Sequence, residues 1–176
     1  MSDKNHIVYI ALGSNVGDRI NNLRNAVGYL LENNAIDLIQ SSSVYESLPY
    51  GNHNQQNFYN AVIKIRTSLL PLELFYLLKK TELKVGRQLR ERWGPREIDL
   101  DILFYDDLIL SDDILTLPHK GIHLRDFVLL PLVELDKNFV HPLLRISLTE
   151  LLNRVKDRTI ISKLDETLLK QEKEIG

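Results

Sequence analysis

The chain contains the segment Arg92-Trp93-Gly94-Pro95-Arg96-Glu97-Ile98-Asp99-Leu100-Asp101-Ile102-Leu103-Phe104-Tyr105. Its second half is an apolar run interrupted only by Asp99 and Asp101, and this pattern predicts a buried β-strand. Alternate residues of a strand point to the same side of a sheet, so both carboxylates lie on one face, roughly 6–7 Å apart. The neighbouring apolar residues, Ile98, Leu100 and Ile102, point to the opposite face.

This carboxylate pair indicates a metal site. Two like charges side by side inside a protein are costly unless a cation lies between them. Mg²⁺ prefers oxygen ligands and commonly accompanies phosphates, and two Mg²⁺ ions about 3.5–4 Å apart can share such a pair. Several arginines precede the strand, and their planar guanidinium groups suit bidentate contacts with phosphate: Arg87, Arg90, Arg92 and Arg96. The segment therefore predicts phosphoryl or pyrophosphoryl transfer.

The composition is that of one soluble globular domain. The chain has 176 residues, of which 44% are hydrophobic and 26% charged. A net charge of −2 gives no overall attraction to nucleic acid or to an anionic membrane. The absence of cysteine excludes disulfides, thiolate metal sites and thiol catalysis. Because we find neither a secretion signal nor an apolar stretch of membrane-spanning length, we expect a cytoplasmic protein without nucleic-acid or membrane partners.

The first hundred residues alternate between strand and helix patterns. Apolar periodicity and turn residues predict strands at 6–12, 36–47 and 58–67, a helix from a cap at Asp18 to about residue 33, and a helix from Pro71 to Val85 ended by Gly86. With the strand of Asp99 the order is strand, helix, strand, strand, helix, strand. This order predicts an α+β fold with the ferredoxin-like split β-α-β core, βαββαβ.

The remaining residues predict helical additions to this core. Short strands at 108–110 and 115–117 can pair, residues 124–135 form a helix despite Pro131, and Ser147 caps a helix at 148–155. We assign residues 1–160 to the domain. Residues 161–176 form a charged C-terminal tail that is either a docked amphipathic helix or partly disordered.

Several motifs resemble one family, the 6-hydroxymethyl-7,8-dihydropterin pyrophosphokinases (HPPK) of folate biosynthesis. They lie at residues 11–18, 42–47, 57–62, 92–102, 116–119 and 125–127, so the resemblance covers roughly residues 6–160. It implies a ferredoxin-like α+β protein that transfers pyrophosphate from ATP to the hydroxymethyl oxygen of the pterin, leaving AMP. It also implies that both substrates are small molecules, and we expect a monomer.

The resemblance also implies roles for individual residues. Asp99 and Asp101 would bind two Mg²⁺ ions, and Arg87 and Arg96 would hold the phosphates during transfer. The residues implied for the pterin are Ser47, Leu48, Tyr50, Phe58, Asn60, Trp93 and Phe127, with the two phenylalanines stacking on the ring. Those implied for ATP are Lys79, Glu82, Arg87, Arg90, Trp93, Arg96, Ile102, Thr116, His119, Lys120 and Arg125. Lys120 occupies a position where the family often has Tyr, and Ile114 one where it can have Arg. The resemblance therefore does not define which residues contact the outer phosphates of ATP.

Some of these residues can also be explained by a structural role alone. Phe58 and Phe127 also fit an ordinary core, and Glu82 also fits a solvated helix face. His119 and His123 have the spacing of zinc ligands on a helix, but the intervening Lys120-Gly121 does not favour a helix. Residues 13–17 fit neither common phosphate-binding motif and predict a tight strand-to-helix turn.

Two other functions are compatible with parts of the pattern. A metal-dependent nucleotide-sugar transferase also uses Asp-x-Asp, although the chain is short for its usual doubly wound domain. A ferredoxin-like sheet can also bind nucleic acid by stacking bases on aromatic residues, but no strand here is rich in aromatics, and paired carboxylates would repel phosphate. For the pyrophosphokinase, we expect the loops at 48–57 and 86–93 to close over ATP and exclude water.

Overall fold

A computed structural model describes residues 6–49, 51 and 54–169. Its elements in chain order are β1 (His6–Ser14), α1 (Arg19–Leu31), β2 (Ile36–Ser41), β3 (Tyr45–Ser47), β4 (Phe58–Thr67), α2 (Pro71–Val85), β5 (Asp99–Tyr105), β6 (Leu110–Ser111), β7 (Thr116–Leu117), a 3-10 turn (Ile122–Leu124), α3 (Asp126–Asp136), α4 (Leu148–Arg154) and β8 (Ile160–Lys163). In this part of the chain, no helix combines the length and the apolarity needed to cross a bilayer.

The strands of the described chain form one antiparallel sheet with a separate small hairpin. The sheet order is β5-β1-β4-β3-β8, and β2 pairs with β4 on the same side as β3. The hairpin consists of β6 and β7, so the predicted pairing is confirmed, although the first strand begins at Leu110 rather than at residue 108. The architecture is thus a mixed α/β fold in which helices pack on an antiparallel sheet.

The predicted helix boundaries are confirmed where a specific cap was named. The Asp18 side chain accepts a hydrogen bond from the Asn21 N–H at the start of α1. Helix α2 begins at Pro71 and ends at Gly86, whose φ of 115° is a left-handed conformation that glycine adopts without strain. The Ser147 side chain accepts from the Glu150 N–H and begins α4. Helix α3 accommodates Pro131 in its interior.

Two predictions of secondary structure are wrong. The strand expected at 36–47 is divided after Ser41, because Ser42 donates its N–H to the Val62 carbonyl and accepts the Val62 N–H with its own hydroxyl. The tail is not helical at residues 161–163, since β8 pairs there with the open edge of β3. Further along, Leu168 is buried in the main core, and residues 170–176 lie outside the described part.

The two faces of the sheet pack against different helices. One face and helices α1 and α2 form the main core, which includes Val8, Ile10, Leu12, Leu23, Leu30, Leu74, Ile98, Leu100 and Ile102. The opposite face packs against α3 and α4 through residues that include Tyr9, Val62, Leu103, Phe104, Leu129 and Leu148. A register shift between β1 and β5 places both Leu103 and Phe104 in this second cluster. The helices cover one half of this face, and a cleft occupies the other half.

Candidate active site

The cleft has a volume of about 360 Å³ and its floor consists of the ends of β1, β4 and β5. Most residues that the sequence predicted for the site line it together, although they come from distant parts of the chain. Those residues are Ser47, Leu48, Phe58, Asn60, Lys79, Arg87, Trp93, Arg96, Asp99, Asp101, His119, Arg125 and Phe127. The structure therefore places the carboxylates, the arginines and the aromatic residues around one space, as the sequence predicts.

Asp99 lies at the cleft floor opposite Gly13 and is paired with two arginines. Arg96 donates to one carboxylate oxygen at 2.8 Å, and Arg87 donates to the other at 3.3 Å. The side chain is still 24% exposed to the cleft. Because each guanidinium group carries further N–H donors, both arginines can hold Asp99 and a phosphate oxygen at the same time.

Asp101 lies on the same face, opposite Ala11, but in a different electrostatic environment. Loss of hydration and the neighbouring charge of Asp99 raise its pKa to about 7, against the partial opposition of Lys79 and Arg125. In the described part of the chain, the basic side chain within ion-pair distance of Asp101 is His119, whose Nε2 lies 4.0 Å from an Asp101 carboxylate oxygen. The pair of carboxylates thus consists of one neutralised by arginine and one left without an equivalent partner.

His119 does not neutralise Asp101. Burial and the charge of Arg125 lower the pKa of His119 to about 4, so the ring is uncharged at neutral pH. Its Nδ1 accepts the Gly121 N–H at 3.1 Å, which leaves the hydrogen on Nε2, the atom that faces Asp101. The ring can therefore donate a hydrogen bond into the cleft without carrying charge.

Glu82 is buried rather than on a solvated helix face, so that alternative is wrong. Its carboxylate accepts hydrogen bonds from Arg87 at 2.8 Å, from Lys79 at 3.2 Å and from the Leu100 N–H at 2.9 Å. Burial raises its pKa, an effect that Lys79 and the Leu100 N–H oppose. Because these contacts join α2 to β5, Glu82 fixes the guanidinium group of Arg87 beside Asp99.

Some predicted ATP residues lie away from the cleft lining. Arg90 is held by Glu97, whose second carboxylate oxygen is 2.7 Å from it, and the Ile102 side chain is in the main core. Thr116 is in β7, and Lys120 is exposed beyond that hairpin. Their contacts with ATP stay predictions, as does the contact of the pterin with Tyr50, which lies outside the described residues.

The wall formed by β4 lies across β1 from Arg87 and Arg96 and is polar at its base. Asn60 is 6% exposed, and its amide nitrogen donates to the Ser47 hydroxyl at 2.7 Å. A β-carbon on Gly13 would lie 3.3 Å from the Asn60 side-chain oxygen and 3.5 Å from the Phe58 ring. Glycine at this position therefore keeps the space in front of Phe58 and Asn60 open for a flat ligand.

Asn15 is a site residue that the sequence analysis missed, because residues 13–17 were interpreted only as a turn. It is 1% exposed, and its side chain accepts the Arg96 N–H at 2.7 Å. The same side chain donates to the Gln55 side chain and to the Gln56 carbonyl, each at 3.0 Å. The available signal was an asparagine directly after a buried strand, since a buried amide needs several partners.

The two loops predicted to close over ATP touch each other. Gln55 donates to the Trp93 carbonyl at 2.9 Å, and Gly51 lies against the Trp93 ring so closely that a β-carbon there would be 3.3 Å from it. Trp93 itself has a φ of 66° and remains 40% exposed. This contact joins the loops across the cleft rim, whereas their closure over ATP stays a prediction.

Comparison with known proteins identifies the family of this chain. The model of the family described as 7,8-dihydro-6-hydroxymethylpterin-pyrophosphokinase (HPPK) matches residues 9–137. The chain belongs to this family. The HPPK resemblance proposed from the motifs is therefore confirmed, and the matched region contains the Asp99/Asp101 pair and both walls of the cleft.

Individual relatives have the same name. The chain is 49% identical to the 2-amino-4-hydroxy-6-hydroxymethyldihydropteridine pyrophosphokinase of Aquifex aeolicus over 81% of its own length and 88% of that protein. It is 44% identical to the Bacillus subtilis enzyme of the same name, over 74% of this chain and 78% of that protein.

Some relatives are longer than this chain. It is 44% identical to the folic acid synthesis protein of Dictyostelium discoideum over 81% of its own length, but spans only 22% of that protein. A crystal structure of wild-type Plasmodium falciparum HPPK-DHPS with pteroate superposes with a TM-score of 0.66 at 16% identity, over 85% of this chain and 44% of that one. This structural likeness concerns the fold alone.

Proposed function

We propose that this protein transfers pyrophosphate from ATP to the hydroxymethyl group of 6-hydroxymethyl-7,8-dihydropterin, giving AMP and the pterin diphosphate for folate biosynthesis. The observation that carries the proposal is the carboxylate pair at the floor of a cleft. Arg87 and Arg96 form one wall beside β5, and Phe58 and Asn60 belong to the wall that β4 forms on the other side of β1. Family membership gives the same reaction. Neither of the other functions that the sequence left open accounts for both walls.

The two walls suit the two substrates. Phe58, Asn60 and Phe127 lie where a flat pterin ring would be stacked and its polar edge read, with Ser47 and Leu48 beside them. Arg87, Arg96, Lys79 and Arg125 supply the cationic groups that a polyphosphate requires. In this arrangement the acceptor hydroxymethyl group and the phosphate chain of ATP would meet above Asp99 and Asp101.

The carboxylate pair fits Mg²⁺ as the resident cation. Burial and the charge of Asp99 make ionisation of Asp101 unfavourable, a cost that a bound cation would remove. The described residues contain no cluster of three carboxylate or imidazole groups that would form a complete protein cage. Mg²⁺ is typically held by one or two carboxylates together with substrate phosphates. Asp99 and Asp101 would hold two such ions, which supply charge neutralisation of the phosphates and activation of the acceptor hydroxyl.

The chain's own groups have definable tasks in this reaction. Arg96 and Arg87 orient the transferred group from one side, and Glu82 keeps Arg87 in place through the α2–β5 contact. The neutral His119 offers an Nε2–H donor toward the cleft for a phosphate oxygen. Contact between Gln55 and Trp93 places the two loops where they can exclude water from the activated phosphate.

We further propose that the fold has the ferredoxin-like plan. If β2 and β3 are counted as one interrupted strand, the order β5-β1-β4-β2/β3 and the packing of α1 and α2 on one face correspond to that plan. Strand β8 and helices α3 and α4 are then additions that border the cleft. We also expect a cytoplasmic location and a monomer. Sedimentation of the purified protein would test the oligomeric state.

A product assay tests the reaction. Purified protein is incubated with ATP, Mg²⁺ and 6-hydroxymethyl-7,8-dihydropterin, and the nucleotides are separated. The expected result is AMP formed one-for-one with pterin diphosphate, only when metal is present. Release of ADP would contradict pyrophosphoryl transfer, and AMP formation in excess EDTA would contradict the role of Mg²⁺. Turnover of a UDP-sugar, or tight RNA binding in EDTA, would revive the alternatives.

A further inference from the structure

Asp126 is a buried carboxylate within the motif at residues 125–127, and none of the roles assigned above explains it. It is the first residue of α3 and its exposure is 2%. The carboxylate accepts three hydrogen bonds: from the Thr159 N–H at 2.7 Å, from the Thr159 hydroxyl at 2.5 Å and from the Ile160 N–H at 3.0 Å. All three donors belong to the segment that enters β8.

These bonds are unlike those of a helix cap. Asp18 and Ser147 cap their helices by accepting the N–H of a residue three positions later, whereas the donors to Asp126 are 33 and 34 residues away in sequence. An ionised carboxylate is an acceptor only, so its two oxygens match three donors from one strand. The contact therefore ties α3 to β8.

This contact between α3 and β8 connects two groups of residues that line the cleft. At the α3 end of the contact, the sequence neighbours of Asp126, Arg125 and Phe127, both line the cleft. On the other side, Thr159 accepts the Leu48 N–H at 3.0 Å with its carbonyl, and Ile160 pairs with Ser47 in the sheet.

The Ser47 hydroxyl in turn accepts from Asn60, so the series of contacts ends at the amide wall. It thus runs from the residue before Phe127, through Thr159 and β8, to Asn60. Within the described chain, these contacts join α3, which carries Phe127, to Asn60 on β4.

We propose that Asp126 is a positioning residue that sets the distance between Phe127 on α3 and Asn60 on β4, and thereby the affinity for the pterin. The inference rests on the proposed function, because it takes the space between Phe127 and Asn60 as the pterin site. A bound pterin ring tolerates little change in the distance between Phe127 and Asn60, since dispersion attraction is lost quickly once a gap opens. Loss of the tie lets α3 and the Ser47–Leu48 segment move independently.

The test compares substitutions along this path with a matched substitution elsewhere. Asp126→Ala removes all three bonds, and Asp126→Asn restores the shape and part of the bonding. Thr159→Val removes the hydroxyl donor alone. Thr67→Val is its control, because the Thr67 hydroxyl is buried and donates to the distant Ala35 carbonyl at 2.7 Å but lies away from the cleft.

Steady-state AMP release gives kcat and the KM of each substrate for every variant. We expect Asp126→Ala to raise the KM for the pterin by roughly tenfold with less than about threefold change in the KM for ATP. Asp126→Asn should recover most of the loss, and Thr159→Val should raise the pterin KM where Thr67→Val does not. In parallel, hydrogen exchange of the Leu48 amide should accelerate in Asp126→Ala.

Several results would overturn the proposal. The pterin KM of Asp126→Ala could stay at the wild-type value, or Thr159→Val and Thr67→Val could have the same kinetics and differ from wild type only in melting temperature. Either would leave Asp126 with a purely structural role. If Asp126→Ala does not fold, the Thr159→Val and Thr67→Val pair decides. Wild-type protein that makes no AMP would instead refute the proposed function itself.

Discussion

One face of the sheet has two halves built from the same three strands. The two halves differ in the polarity of their side chains and in what covers them. In the covered half, Tyr9, Val62 and Phe104 pack against α3 and α4 and are almost completely buried. In the open half, further along β1, β4 and β5, the residues are Gly13, Asn60 and Asp99. The strands are thus continuous, while their side chains change from apolar to polar within a few positions.

The difference separates stability from chemistry. Burial of a large apolar side chain contributes about 1.5–3 kcal/mol, so the covered half stabilises the fold. The open half places two carboxylates side by side, and the raised pKa of Asp101 shows that its charge is unfavourable there without a cation. Substitutions in the open half should therefore lower activity and leave stability intact, and substitutions in the covered half should lower stability and leave activity intact.

Loss of the charge in the open half should have the largest effect. Asp101→Asn is expected to lower turnover by more than roughly a thousandfold, because it removes one of two carboxylates that would hold the metal with the phosphates. Circular dichroism should show the native fold, and melting in EDTA at pH 8 should occur at or above the wild-type temperature. Near-normal AMP formation by this variant would refute the metal assignment.

Truncation in the covered half should do the reverse. Phe104→Ala leaves a cavity beside Tyr9, Phe139 and His141 and is expected to lower the free energy of unfolding by about 3–5 kcal/mol, as for other buried aromatic residues. Below its melting temperature its kcat/KM should stay close to that of the wild type. Chemical denaturation and kinetics at low temperature measure the two quantities, and a large loss of kcat/KM with unchanged stability would contradict the separation.

Asn15 directly follows β1 at the far end of the open half and should give an intermediate effect. Asn15→Ala leaves the Arg96 N–H without its side-chain acceptor and releases the 55–56 loop. We expect kcat to fall roughly tenfold, because a lost hydrogen bond at a buried group costs about 1–3 kcal/mol. Arg96→Ala should lower kcat further with little change in the KM for ATP.

A double-mutant cycle of Asn15→Ala with Arg96→Ala measures their coupling. If Asn15 acts through Arg96, the double variant should be no slower than Arg96→Ala alone. Fully additive losses would show that Asn15 acts elsewhere, for example through the loop alone.

The sequence predicts the features that depend on local patterns. The shared face of Asp99 and Asp101, the cap at Asp18 and the end of α2 at Gly86 each follow from residues within a few positions of one another. It fails where the cause is distant in sequence. Strand β8 forms because β3 offers an open edge over a hundred residues earlier, and the Ser42 hydroxyl interrupts a strand because Val62 lies opposite it.

The same limit applies to the candidate site. Most residues named from the resemblance line one cleft, because each belongs to a short motif that can be recognised in the sequence. The resemblance gave no reason for Glu82 to be buried beneath Arg87 or for Asn15 to hold Arg96. Both contacts join segments that meet only in the folded protein. Supporting residues of this kind become visible when hydrogen-bond partners are known, whereas the groups that face the substrate are recognised by their type.

The smallest expected effect is a pH dependence of stability in the open half. The folded-state pKa of Asp101 is raised to about 7 from its ordinary 3.8, so between these values the folded protein binds a proton that the unfolded chain has lost. Stability of the metal-free protein should therefore fall as pH rises from about 4 to 7 and then level off, as far as this group is concerned. His119, with its pKa lowered to about 4, contributes the opposite slope over part of this range.

Comparison of Asp101→Asn with wild type isolates the carboxylate, because His119 is present in both. In EDTA, the variant's gain in melting temperature should be greatest above pH 7 and should shrink toward pH 4, where the wild-type carboxyl group is protonated. The equivalent substitution of the paired carboxylate, Asp99→Asn, should show no such gain, since it removes the partner of Arg87 and Arg96. A pH-independent gain for Asp101→Asn would mean that its charge does not destabilise the open half.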